Sequence, residues 1–308
     1  MLAVALATLP IFALIFLGAA LRRSGMLGED FWRGAERLVY FVLFPPLLFT
    51  TLATADFAAL AAGELALAMV AGAAALMLAL SLLRPVLAMD GPAFTSLAQG
   101  ALRQNTYIGF SAAFALFGSE GLAAAAIWVA AVTPIVNVYC IAVLTRHGSG
   151  APSGSGSSLG AVVRAILKNP IILASAAGAA VNLAGLALPP ILDEILAILA
   201  RGALPLGLLA VGAGLDFVAV RRGGRALPLA VVLKLAVLPL LVLAALRFLD
   251  VSGLGATVAL LIAGLPTAPS SYILARQLGG DARLLAGIIA VQTALSMITL
   301  PLILTLLA

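Results

Sequence analysis

Side chains able to handle a polar solute fall in two short stretches, each inside a long apolar run. The first reads Leu102-Arg103-Gln104-Asn105-Thr106-Tyr107-Ile108-Gly109-Phe110 and sets a guanidinium, two amides, a hydroxyl and a phenol beside a glycine. The second reads Gly264-Leu265-Pro266-Thr267-Ala268-Pro269-Ser270-Ser271-Tyr272. Its two prolines each lack an amide donor and oppose continuous helix. A helix that restarts after such a break begins with unpaired amides and a positive dipole end, a combination that attracts anions. In this chemistry Asn105 donates its amide to a carboxylate and Arg103 adds a cation. Thr106, Thr267, Ser270 and Ser271 cap the half-helices or touch the solute. Taken singly, either stretch also reads as a kink whose polar residues satisfy freed carbonyls.

The two stretches occupy equivalent places in an internal repeat. Pro10, Ile11, Gly18, Ala19, Ala20 and Gly25 return as Pro170, Ile171, Gly178, Ala179, Ala180 and Gly185, an offset of 160 residues. Pro45 answers to Pro205, and Asp56 with Phe57 to Asp216 with Phe217. At the same offset Asn105 falls on Leu265 and Gly109 on Pro269, so both halves are interrupted at one level. Near residue 118 the register slips by one, pairing Gly118 and Glu120 with Gly279 and Asp281.

What positions these stretches is a set of membrane-crossing helices. The 308 residues are 64% hydrophobic and 9% charged, with a mean hydropathy of +1.21, more than a soluble core requires. Runs of about 20 apolar residues span the hydrocarbon layer as helices, which alone satisfy their backbone there without barrel closure. Ten such runs are present. They cover about 3–21, 38–55, 65–83, 93–117 and 121–145, then 161–186, 190–217, 226–246, 253–275 and 283–307. Five per repeat is odd, so the sequence predicts two units inverted relative to one another, a frequent transporter construction. The expected fold is an all-α polytopic membrane protein with a first repeat at 1–146, a flexible cytoplasmic linker at 147–160 and a second repeat at 161–308. The linker's Gly/Ser-rich composition carries no chemistry.

Basic residues orient the chain. With the N-terminus outside, the cytoplasmic loops hold Arg22, Arg23, Arg33, Arg37, Arg84, Arg146, Arg164, Lys168, Arg221, Arg222, Arg225, Arg276 and Arg283, which is 13 of the 17. Both termini are expected on the outer face. This asymmetry accounts for the +5 charge, and no nucleic-acid partner is needed. The first run lacks a basic start and repeats an interior segment, so it reads as a retained helix and not a signal. Cys140 and His147 are each the sole residue of their type, which leaves no internal disulfide and no histidine metal cluster. No phosphate-binding loop is present, and apart from Arg103 and Lys234, which fall inside predicted helices, the ionisable residues are dispersed among loops and near helix ends. The sequence therefore predicts no enzyme, no cofactor and no metal. Gln292, Thr293 and Ser296 form a polar stripe on the tenth run, with Thr133 and Asn137 of the fifth as neighbours for interhelical hydrogen bonds.

In Asn105-Thr106, Lys168-Asn169-Pro170, Leu265-Pro266 and Gly279-Gly280-Asp281, in that order, the chain resembles the auxin efflux carrier family over its whole length. That family includes plant PIN carriers and bacterial permeases assigned to malonate, malate and related organic acids. The resemblance implies a fold like that of bile-acid sodium symporters, with helices 4 and 9 broken and crossing. Helices 1, 2, 6 and 7 would form a scaffold and homodimer surface, and helices 3 to 5 and 8 to 10 an elevator-like transport bundle. With the reading of the two broken stretches, the expected substrate site at the crossover comprises Arg103, Asn105, Thr106, Tyr107, Gly109, Asn137, Asn169, Pro266, Thr267, Pro269, Ser270 and Ser271, of which the resemblance itself points to Asn105 and Asn169. Asn105 matches the crossover asparagine. Asn169 matches an Asn-Pro junction facing the cavity, although Ile171 stands where plant carriers have a polar residue. The expected protein is a secondary transporter of small organic anions in a bacterial inner (plasma) membrane. Proton coupling, sodium coupling and facilitated diffusion stay open, as does a non-transporting membrane sensor.

Overall fold

Helix is the only regular structure among the described residues of the computed structural model, which covers residues 2–58, 60–149 and 169–307. Seven stretches among them are long and apolar enough to cross a bilayer: Leu2–Arg23, Glu29–Ala53, Ala62–Leu83, Gly91–His147, Pro190–Ala213, Ala226–Phe248 and Ala282–Leu306. Two shorter apolar helices, Pro170–Leu183 and Gly253–Ala263, accompany them. Large apolar side chains such as Leu6, Phe16, Leu78, Ile195 and Phe248 lie on the outside of the molecule. A soluble monomer avoids such broad apolar exposure, whereas lipid accepts it.

Uninterrupted, the 57 residues of Gly91–His147 would form a rod of roughly 85 Å, nearly three hydrocarbon thicknesses. They are divided instead. A helix over Gly91–Leu102 ends at Arg103, and a new one begins at Thr106 with Asn105 as its N-cap. Gly118 (φ +63°, ψ −149°) then breaks Thr106–His147, using a backbone region that L side chains avoid. The sequence places spans at 93–117 and 121–145, so the break at Gly118 falls in the predicted loop. Elsewhere the second run begins earlier than its apolar pattern, at Glu29. The polar residues of Glu29–Leu38 continue through a π-helical turn, Val39–Leu43, into Phe44–Ala53. The seventh stops at Ala213. Of the linker and the sixth run, residues 150–168 lie outside the described residues, including Arg164 and Lys168.

Packing follows the repeat. Leu2–Arg23 lies along Pro190–Ala213, and Phe44–Ala53 along Pro170–Leu183. In the first pair a methyl group added at Gly18 would collide with the Leu209 carbonyl, and in the second one added at Gly178 would collide with the Phe49 carbonyl. Residues 18 and 178, like 49 and 209, stand 160 apart. The repeated glycine therefore exists to let two backbones touch, and it makes the same contact twice. Ala62–Leu83 packs on Leu238–Phe248, and the broken helices of the two halves lie against one another and against Ala282–Leu306.

Candidate functional site

The two breaks meet. Asn105 N–H donates to the Pro266 carbonyl at 2.8 Å, joining the restart of one interrupted helix to the gap of the other. Around them several orphaned backbone groups find side-chain partners, as a buried helix end favours. Thr267 Oγ1 donates to the Gly100 carbonyl at 2.7 Å, in the last turn of Gly91–Leu102. Gln292 Nε2 donates to the same carbonyl at 2.9 Å and to that of Ala230 at 3.0 Å, and its Oε1 accepts from Thr267 N–H at 2.9 Å. One glutamine thus ties together both broken helices and the helix Ala226–Val232. The sequence shows Gln292 only as part of a polar stripe, because its partners are backbone carbonyls that leave no trace in residue type.

The candidate residues divide by where they point. Asn105 is fully buried, with Oδ1 accepting from Ile108 N–H at 3.3 Å while Nδ2 has no protein partner. Thr106 opens its helix, half-buried. The Tyr107 ring turns away, edge-on to Phe44 with centroids 4.9 Å apart and against Gly207. Gly109 faces Leu265 and Ile262, where the helices cross. Pro266 and Thr267 are spent on the hydrogen bonds above, Pro269 stands just before Ser270–Leu278 without a capping hydrogen bond, and Ser271 is buried with its hydroxyl unpartnered.

The other four line one cavity. Arg103, Asn137, Asn169 and Ser270 surround a space of about 280 Å³, together with Gln277 and the apolar side chains of Pro134, Val138, Ile141, Ile172, Ile273 and Leu274. Arg103 Nη1 donates to Asn137 Oδ1 at 2.8 Å, and Nη2 donates to Ser270 Oγ at 3.1 Å. A guanidinium has five N–H donors, so two fixed bonds orient it and leave donors for a ligand. Asn169 Oδ1 accepts from Ile171 N–H at 3.0 Å and Ile172 N–H at 3.4 Å, which caps Pro170–Leu183 and holds the residue at the cavity wall. Pro134, Asn137, Val138 and Ile141 repeat at i, i+3, i+4 and i+7, and Ser270, Ile273, Leu274 and Gln277 do the same. Each set is one helix face. Arg103 is the only charged residue of the lining among the described residues, which together present one positive charge, a few amide and hydroxyl groups and an apolar wall. Such a space suits a small anion with an apolar portion.

Residues 155–304 match a family described as membrane transport protein. An uncharacterised transporter of Methanothermobacter thermautotrophicus is 29% identical over 296 residues, spanning 96% of this chain and 95% of the relative.

Proposed function

We propose that the chain, whose residues 155–304 match the membrane transport protein family, is a member of that family, the family of the auxin efflux carriers, and a secondary transporter of small carboxylates. One observation carries the substrate class: the Arg103 guanidinium, oriented by Asn137 and Ser270, in a cavity whose described lining is otherwise uncharged. An arginine inside a membrane is costly unless function requires it. A carboxylate pairs with it in bidentate geometry, and the unpartnered Nδ2 of Asn105, two residues on, supplies a further donor at the crossover. With one cation among the described lining residues, monocarboxylates fit better than dicarboxylates.

Ten crossing helices in two inverted repeats supply the transport motion in this reading. The paired contacts Gly18 to Leu209 and Gly178 to Phe49 support it, since a pseudo-two-fold axis between the repeats would produce the same contact twice at an offset of 160 residues. Helices 1, 2, 6 and 7 form the static scaffold of a homodimer. The remaining helices carry the crossover past it. The cavity is lined from Ser270–Leu278, the second half of Thr106–His147 and the start of Pro170–Leu183, and in this reading it faces the cytoplasm, where the basic loops are expected.

Uptake of radiolabelled acetate, phenylacetate, malonate and malate into proteoliposomes tests the reading. Wild-type protein exchanges the monocarboxylates. Arg103→Gln, which removes a charged hydrogen bond worth about 1.5–3 kcal/mol, weakens their affinity roughly ten- to hundredfold. Unchanged affinity in Arg103→Gln, or no exchange of any of the four by wild type, overturns the proposal.

A further inference from the structure

Lys234 stands in the middle of the helical run Ala226–Phe248, within a second π-helical segment, Leu233–Val237, and is fully buried. Its Nζ has no hydrogen-bond partner. Turns of π-helix interrupt the regular ladder and recur at functional positions. Here the turn before the segment offers the Ala230 carbonyl to Gln292, so Lys234 sits one turn from the network that ties the broken helices. The elements packed on this segment are Gly91–Leu102, Ala282–Leu306, Ala226–Val232 and Leu238–Phe248. Two of them bring more unpartnered buried polar atoms: Gln99 Nε2 and Oε1, and Thr293 Oγ1.

None of these elements offers a counter-charge. Gly91–Leu102 and Ala226–Val232 hold no ionisable residue, Ala282–Leu306 holds only Arg283 in its first turn, and Leu238–Phe248 only Arg247 in its last. Ala62–Leu83, packed on Leu238–Phe248, contributes Glu64 alone, in its first turn. A buried ion without a partner costs several kcal/mol. The negative charge that can offset an ammonium at this place is one that arrives with a bound anion, and the anion site begins at Arg103 on the helix end that follows Gln99 and Gly100.

We propose that Lys234 is the proton-coupling site of the transporter: its amine takes one proton from water on one side of the membrane when the carboxylate binds, and returns it to water on the other when the carboxylate leaves. The N–H bond forms on the amine lone pair and breaks to regenerate it, so each cycle moves one carboxylate and one proton together. Binding of the anion and of the proton strengthen one another by the same factor. This inference rests on the carboxylate-transport reading.

The test uses the full chain in proteoliposomes, with radiolabelled lactate, whose neutral acid crosses lipid slowly, as the probe, read before protein-free vesicles fill and counted above them, and an internal pH dye to follow protons. Wild type accumulates the probe about tenfold per pH unit of inward proton gradient, as one-to-one coupling requires. Lys234→Met and Lys234→Gln still exchange the probe at equal pH, at the lower affinity that loss of the coupled proton entails, but lose accumulation and carry no proton signal. Lys234→Met, which replaces an unpartnered amine by an apolar chain of similar length, also melts no lower than wild type. Gradient-driven accumulation that persists in both variants overturns the inference and leaves the transport reading standing. Absence of any exchange by wild type overturns both.

Discussion

Asn105 does two jobs at the crossover, and substitution separates them. Its Oδ1 caps the helix that begins at Thr106, while its Nδ2 is free to donate. Aspartate keeps the cap, because its carboxylate accepts the same Ile108 N–H, but replaces the donor with a negative charge. Asn105→Asp therefore melts within a few degrees of wild type and loses carboxylate binding almost completely. Asn105→Ala loses both, about 1 kcal/mol of stability through the missing cap and a further 1.5–3 kcal/mol of affinity through the missing donor. Thermal melts and probe-exchange kinetics on the two purified variants check this. An Asn105→Asp variant with wild-type affinity would mean that Nδ2 does not face the substrate. Gln292, by contrast, spends every polar atom on the protein. It holds the breaks open and leaves nothing for a solute.

Helices that touch backbone to backbone do so because a glycine removes the side chain between them. Gly18 meets Leu209 and Gly178 meets Phe49, and in both cases the obstacle to a larger residue is main chain, which has no rotamer to yield. Gly18→Leu and Gly178→Leu each force the helix pair apart and destabilise the protein by at least about 1–3 kcal/mol, the range for overpacking. Equivalent contacts lead to similar losses in the two variants. Gly63→Ala, in a helix with open space around it, serves as the comparison and is neutral or slightly stabilising. Thermal unfolding of the three variants in detergent decides the matter. Tolerance of Leu at either glycine, with wild-type melting, would show that the pair is not close packed.

At the scale of the whole molecule, orientation follows from charge. Single cysteines at residue 30 and residue 223 react with a membrane-impermeant maleimide from the cytoplasmic side, and cysteines near either terminus react from the outside. The native Cys140, buried in its helix, is replaced first. The expectation rests on 13 of the 17 basic residues falling in loops on one side. Labelling of the two termini from opposite sides would require an odd number of crossings and remove the inverted-repeat arrangement.

By itself the sequence determined that this is a multi-pass helical protein, where its helices are interrupted and that its halves repeat. Hydropathy, proline and glycine act locally, over one turn or one bilayer thickness, and so can be read along the chain. It also marked Arg103, Asn105, Asn137, Asn169, Thr267 and Ser270 as a group. Only the tertiary structure divided that group. Arg103, Asn137, Asn169 and Ser270 line the cavity, while Thr267 is consumed in satisfying Gly100, because which helix face meets a space depends on neighbours more than 100 residues away. The same reason kept the roles of Gln292 and Lys234 out of reach. A polar side chain in an apolar run looks alike whether a carbonyl waits across the interface or nothing does, and that difference exists only once the helices are packed.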